Sequence, residues 1–269
     1  MNASGPTSDE LDDTKLIYAG FIDKIIIIKF VNQIPKTIYM KNLKILFVII
    51  LSTMLTDVVM AQDCSFYSLS EGMVTAYQNQ DTKGKVTSTN RSTCLSVSKV
   101  GAATIFKMKS EYADAKNKNQ STKEYQMKCE GGEFYVDMQS LVDPKSMEAF
   151  KGMEVSVDSK DLIYPAGLAT GQVLPDASIT ISAASGGVSL LNLVINITNR
   201  QVVGNETVTV PAGTFGCYKI TYDVETKMMF KINATVAEYV NMGVGNVKTE
   251  TFDKKGNLSG TTLLVELKK

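Results

Sequence analysis

The chain has 269 residues, with 28 Lys and Arg against 28 Asp and Glu. That length allows one or two domains. The neutral balance excludes binding to nucleic acid by displacement of counterions from phosphates, and it disfavours an anionic membrane surface on the same ground. No His and no Trp occur, so Ser-His-Asp and Cys-His catalysis, imidazole bases and His metal sites are excluded.

Residues 1–39 combine an acidic stretch with an Ile-rich piece, Ile25 to Ile28. Met40-Lys-Asn-Leu-Lys44 is then a short basic stretch, Ile45 to Leu55 is strongly apolar, and Val59-Met60-Ala61 supplies small or modest residues. This order predicts a secretory signal over 40–61, cut between Ala61 and Gln62. The apolar run is too short to span a bilayer comfortably, so no membrane span is expected after cleavage. A signal belongs at the start of its chain. Residues 1–39 are therefore read as an over-called, disordered extension, with translation starting at Met40. Lipid attachment at Cys64 wants a small residue before the Cys, and Asp63 is not small.

Residues 62–269 read as one exported β domain, since no Pro-rich or Gly/Ser-rich linker divides them and period-two alternation dominates. Phe134, Val136 and Met138 make one apolar set, with Asp137 opposite. Leu191, Leu193, Ile195 and Ile197 make a second, and Tyr218, Ile220, Tyr222 and Val224 a third. Weaker sets are Leu95/Val97, Ile179/Ile181, Val208/Val210, Val236/Val240 and Leu263/Val265/Leu267. Asp81-Thr-Lys-Gly84-Lys85, Asp114-Ala-Lys-Asn117-Lys118 and Asp253-Lys-Lys-Gly256-Asn257 share one form. It predicts hairpin loops, each a type I turn closed by a left-handed residue. A calcium loop would need more oxygen ligands at set intervals. Asp143, Pro144 and Gly152 frame a short helix carrying Met147, Ala149 and Phe150.

Four Cys follow the cut: Cys64, Cys94, Cys129 and Cys217. In an oxidising compartment they are disulfide candidates with three possible pairings. Their wide spacing, without a C-x-x-C pair, argues against zinc. Cys94 sits in a strand-like run and equally suits a buried free thiol.

Four stretches carry a resemblance: Asp63-Cys-Ser-Phe-Tyr67, Lys128-Cys-Glu-Gly-Gly-Glu-Phe-Tyr-Val-Asp137, Val210-Pro-Ala-Gly-Thr-Phe-Gly-Cys-Tyr-Lys-Ile-Thr-Tyr222 and Gly243-Val-Gly-Asn-Val-Lys248. Together they resemble the TapB-like exported proteins of Gram-negative bacteria, over nearly all of residues 62–269. The resemblance implies a curved antiparallel sheet, an open or half-closed β-barrel, in the periplasm or cell envelope or secreted. It implies no catalytic residue, and it places Cys94 outside the usual pattern. From the residues alone, Pro211-Ala-Gly213 is a turn, Phe215 an apolar anchor at strand entry, and Gly243 and Gly245 permit a bulge or close backbone approach.

The function expected is non-catalytic: a monomeric module binding a hydrophobic, lipid-like molecule, without cofactor or metal. Nine Met beyond residue 62 (73, 108, 127, 138, 147, 153, 228, 229, 242) suggest an adaptable apolar pocket. The alternative is a structural or assembly partner for an envelope protein, working through strand edges or loops. Asp137, Asp143, Asp158, Asp161, Asp176 and Asp223 are available for acid–base work, but no spacing singles out a pair. In the exported protein the first tryptic peptide is expected to begin at Gln62. A peptide from residues 1–39 in the native precursor would overturn the reading of the extension.

Overall fold

The computed structural model describes residues 64, 66–118, 120–142 and 152–269. The signal, its cut between Ala61 and Gln62, and the helix expected from Asp143 lie outside the described residues. Within them the chain is all-β, apart from a single 3-10 helix at Met138–Leu141.

The strands are β1 (Val74–Gln80), β2 (Val86–Val100), β3 (Ala103–Asp114), β4 (Ser121–Glu130), β5 (Glu133–Val136), β6 (Glu154–Lys160) and β7 (Leu162–Tyr164). After them come β8 (Ala177–Ser185), β9 (Val188–Val210), β10 (Gly213–Lys227), β11 (Lys231–Asn241), β12 (Gly245–Asp253) and β13 (Leu258–Lys268). They form one sheet in the order β6-β8-β9-β10-β11-β12-β13-β1-β2-β3-β4-β5-β7, with antiparallel neighbours throughout.

The two ends of this sheet, β6 and β7, are consecutive in the chain and separated only by Asp161. Lys160 pairs with Ser178 of β8, whereas Leu162 pairs with Val136 of β5. One extended segment therefore changes partner at Asp161 and draws both edges together into a nearly closed barrel. Closure removes most of the unpaired edge that an open sheet would present. A slit remains beside β6, flanked by the 3-10 helix.

Local chemistry explains the hairpins. Gly84, Asn117 and Gly256 are left-handed, with φ of 76°, 55° and 81°. Their amides donate to the carbonyls of Asp81, Asp114 and Asp253. Each Asp carboxylate also accepts two further backbone N–H groups of its own loop, at 2.8–3.0 Å. All three expected turns are thus present, joining β1 to β2, β3 to β4 and β12 to β13.

The alternation holds in β8, in β9 as far as Ile197, and in β10, where Ile179, Ile181, Ile197 and Ile220 are buried; after Ile197 the register of β9 shifts and Arg200 and Val202 face inward instead. It slips where strands bulge. In β2 the register shifts between Cys94 and Ser96, so Cys94 faces the core and Val97 is exposed, against the expected Leu95/Val97 set. In β13 it is Leu264, out of phase with Leu263, Val265 and Leu267, that is wholly buried. Met138 opens the 3-10 helix and does not extend β5; Asp137 caps that helix, accepting from Gln139 N at 2.8 Å.

The larger core fills one end of the barrel with rings. Phe66 stacks on Tyr164 at 4.1 Å between centroids. Phe134 meets Phe66 at 5.6 Å, and Tyr67 and Phe106 each at 5.8 Å. Such pairs add about 0.5–1.5 kcal/mol each beyond the area they bury. A smaller core joins Val208, Val210, Cys217, Ala237, Tyr239, Val244, Val247 and Leu264. β11 is buried on both faces, Val240 in the larger core and Ala237 and Tyr239 in the smaller. The Pro211–Gly213 turn docks on β13 through Ala212 N to Leu264 O at 3.3 Å.

Cys64 is bonded to Cys129, tying the N-terminal segment to β4, while Cys94 and Cys217 are buried free thiols. Closing a loop of this length stabilises a fold by roughly 4 kcal/mol in the chain-entropy picture. Alkylation of the unreduced, folded protein is expected to modify neither Cys94 nor Cys217; after unfolding without reductant it should modify those two alone. Intact mass reads the result, and alkylation at Cys64 or Cys129 without reductant would overturn the pairing.

Candidate functional site

The lumen holds a cavity of about 380 Å³. Its floor is the aromatic plug. Phe66 and Tyr67 come from the segment before β1, which is pinned to the β11–β12 turn by Ser68 N to Gly243 O (3.1 Å) and Gly243 N to Phe66 O (3.0 Å). Gly243 and Gly245 are needed for their backbone, with φ of 93° and 82°, and not for space: a Cβ at Gly245 would meet the Tyr67 ring at 3.5 Å, an ordinary contact. Apolar wall comes from Met108, Met127, Val136, Leu162 and Ile197.

The remaining wall is polar. Tyr67, Tyr77, Tyr125, Tyr164 and Tyr222 turn rings and hydroxyls inward, with Asn90, Asn246 and Glu238 between them. Tyr77 OH donates to Asn246 O at 2.9 Å. Asn90 Oδ1 and Asn246 Oδ1 are buried acceptors without a partner. Burial pushes the Tyr67 hydroxyl up to about 12 and lifts Tyr77, Tyr164 and Tyr222 well above the ordinary tyrosine range. These hydroxyls therefore stay protonated, and Tyr67, Tyr77 and Tyr164 act as hydrogen-bond donors.

Behind this wall lies a buried charged cluster. Arg200 is wholly buried on β9. Its Nη1 donates to Ile163 O at 2.9 Å and to Pro175 O at 2.7 Å. Its guanidinium carbon lies 5.0 Å from the Tyr164 ring centroid, while Nε and Nη2 have no partner. Tyr164 OH donates to both carboxylate oxygens of Glu238, at 3.0 and 2.9 Å. Burial raises the Glu238 carboxyl above its usual range, against the lowering influence of Arg200 and Tyr164.

The residues named from sequence are placed as follows. Cys64 and Cys129 form the disulfide outside the cavity lining. Burial raises Cys94 and Cys217, the latter to about 11, so neither is poised as a thiolate nucleophile. Asp137 and Asp161 come together beside the slit, in a second hollow of about 320 Å³ with Lys128, Tyr135 and Ser159. Burial, then Asp137, lifts Asp161, while Lys128 opposes the rise; Asp137 is occupied capping the 3-10 helix. Asp223 accepts from Asn199 and Thr235 on the surface. Asp143 lies outside the described residues. Met147 lies outside the described residues; of the other eight Met, Met108 and Met127 line the lumen, Met73 and Met138 fill the core, and Met228 and Met229 are exposed. Among the described residues no group of three or more His, Cys, Asp or Glu is placed to hold a metal ion.

Arg200, Tyr164 and Glu238 escaped the sequence reading. A signal existed: Glu238 is in phase with Val236 and Val240, and Arg200 with Val202, so each puts a charge on an inward-facing apolar row.

Fold and site together define an antiparallel β-barrel with a plugged, tyrosine-rich lumen. The profile of the DUF3108-like family matches residues 70–264, and the chain belongs to that family. Solved structures similar to it include two with a TM-score above 0.6. One is a proposed exported protein with a YmcC-like fold from Bacteroides fragilis NCTC 9343, at 21% identity and a TM-score of 0.63, covering 76% of this chain and 99% of that one. The other is a proposed lipoprotein from Parabacteroides distasonis ATCC 8503, at 26% identity and a TM-score of 0.62, covering 77% and 100%. No match was found among curated proteins.

The Glu238 carboxyl holds its proton more tightly in the folded chain than in the unfolded one. Its contribution therefore favours folding most below the ordinary carboxylate range and is lost as pH rises through the raised value. Glu238→Gln, which resembles the protonated acid, is expected to gain stability relative to the wild type as pH rises above the ordinary carboxylate range. Arg200→Met, which leaves Glu238 without its nearby cation, should cost roughly 3–5 kcal/mol at neutral pH. Glu238→Gln should stabilise the Arg200→Met protein by more than it stabilises the wild type. Urea midpoints of the four proteins read all three; additive effects would show that the two groups are not coupled.

Proposed function

We propose that this is an exported envelope protein whose barrel binds, without altering it chemically, a small and largely apolar molecule. The observation that carries this reading is the lumen cavity, whose volume lies within the ~300–1,000 Å³ usual for ligand sites. Apolar floor and wall suit a hydrophobic body. Asn90 Oδ1 and Asn246 Oδ1 are acceptors whose burial without partners costs about 1–3 kcal/mol each. A ligand bearing hydroxyl or amino donors would satisfy them, so the ligand is amphipathic and the pocket is tyrosine- and asparagine-lined more than Met-lined.

A location in the periplasm or cell envelope of a Gram-negative bacterium, or secretion from it, is part of this reading, and the descriptions of the two similar structures as exported or lipoprotein support its envelope part. The signal over 40–61 and the narrower kinship with TapB-like proteins belong to the same reading. With its sulfur bonded to Cys129, Cys64 has no thiol left for lipid attachment. A second reading, a partner in envelope assembly, is favoured by β6, the last strand of the sheet, whose side chains are mostly exposed. Such an edge can accept a strand from another chain.

Native mass spectrometry of the protein from its own envelope, with organic extraction of the same sample, tests the first reading. A bound mass that extracts as an amphipathic small molecule is expected, and Ser92→Phe, which puts a ring into the cavity, should abolish it while the protein still melts cooperatively. A bare mass from the wild type would overturn it.

A further inference from the structure

Antiparallel pairing places the turns at 81–85, 114–118, 186–187, 228–230 and 253–257 at one end of the barrel. The aromatic plug occupies the other end, so this is the end toward which Asn79, Asn90, Tyr112, Thr249 and Thr262 line the lumen. The β10–β11 turn and the β8–β9 hairpin both extend this end. Asp253 pairs with Ala234, so residues 231–233 of β11 run past the end of β12 by about 10 Å at ~3.3 Å per residue, and Lys227 pairs with Val194, so residues 188–193 of β9 run past the end of β10 in turn. The tip of the β10–β11 turn is Lys227-Met-Met-Phe-Lys231, with Met229 82% and Phe230 77% exposed and Ile232 exposed behind them. Val188 and Leu190, on the adjoining β8–β9 hairpin, are exposed as well.

The same end is basic. Lys83, Lys85, Lys116, Lys118, Lys227, Lys254 and Lys255 are exposed on its turns. Asp81, Asp114 and Asp253 fold back onto their own backbone amides, and Glu225 pairs with Lys231; Glu154 opens β6 nearby. These five acids keep their charge, but eight lysines, Lys231 included, stand with them at this end, so the net charge of zero conceals a local excess of cations.

We propose that this end docks on an anionic lipid bilayer, with the Met228–Ile232 tip among the acyl chains and the turn lysines against lipid phosphates. Apolar side chains ringed by lysines are the composition that an interfacial anchor requires. The proposal holds whether or not the lumen carries a ligand.

The test is co-sedimentation of the full chain with phosphatidylcholine vesicles, with and without phosphatidylglycerol. The wild type is expected to bind the anionic vesicles and to release with added salt. Met229→Ser/Phe230→Ser and, separately, Lys83→Glu/Lys254→Glu/Lys255→Glu should each weaken binding by about tenfold or more. Melting curves check that both variants fold, and the exposure of every substituted residue makes that the expected result. A wild type that binds no vesicle, or either variant binding as the wild type does, overturns the proposal. So does a wild type that instead pairs with a second copy through the tip, read by sedimentation velocity.

Discussion

Everything in this barrel follows from the way its sheet is closed. A sheet of this many strands must curl or split, and here the two edges are joined by one segment that pairs with β8 up to Lys160 and with β5 from Leu162 onward. Neither half has a strand on its free side. The resulting seam leaves backbone carbonyls to be satisfied by something other than a ladder, and a buried carbonyl without a donor is costly. Arg200 supplies the donor. Its Nη1 reaches Ile163 O on β7 and Pro175 O in the following turn, so a guanidinium on β9 stands where a neighbouring strand would be. The segment 171–174 completes the repair, exchanging backbone hydrogen bonds with residues 200–202.

Burying that cation shapes the site. A wholly buried guanidinium needs a compensating charge or a polarised ring. The Tyr164 ring lies under it, and the Tyr164 hydroxyl is held by Glu238. The same tyrosine stacks on Phe66 in the plug. One side chain thus links seam closure, charge compensation and the floor of the lumen. The polar character of the cavity wall near Glu238 is therefore in part a by-product of how the barrel shuts. The orphaned acceptors of Asn90 and Asn246 are not, since they belong to β2 and β12, away from the seam, and they are the better pointer to a ligand.

Features encoded within a few residues were legible in the sequence. The three Asp-x-Lys-Gly or Asn loops could be read because turn chemistry is local: an Asp that accepts its own loop's amides, and a residue tolerant of positive φ. Strands with unbroken alternation, such as Ile179/Ile181 and Ile220/Tyr222, were equally clear. What escaped was set by contacts distant in sequence. The bulge after Cys94 turns the strand over, and β-bulges leave no reliable mark on an alternating pattern. Leu264 is buried because the Pro211–Gly213 turn folds down onto β13, more than fifty residues away in sequence. The Met count misled for a related reason: a flexible side chain serves equally in a core (Met73, Met138), on a cavity wall (Met108, Met127) or at an exposed tip (Met228, Met229), and composition does not distinguish these.

Net charge is a total and carries no placement either. A balance of 28 against 28 bounds long-range binding to a uniformly charged polymer, because such binding sums charge over a wide face. It does not bound contact at one end of a barrel. Hairpin turns favour residues of particular backbone tolerance, and in this chain each turn of the Asp-x-Lys-Gly or Asn form spends its acid on its own amides and leaves its lysines outside. Because the strands alternate in direction, turns of one kind collect at one end. A local rule repeated along the sequence thereby becomes a polarity of the whole molecule, with a plugged, disulfide-tied end and a basic, apolar-tipped end toward which the lumen runs.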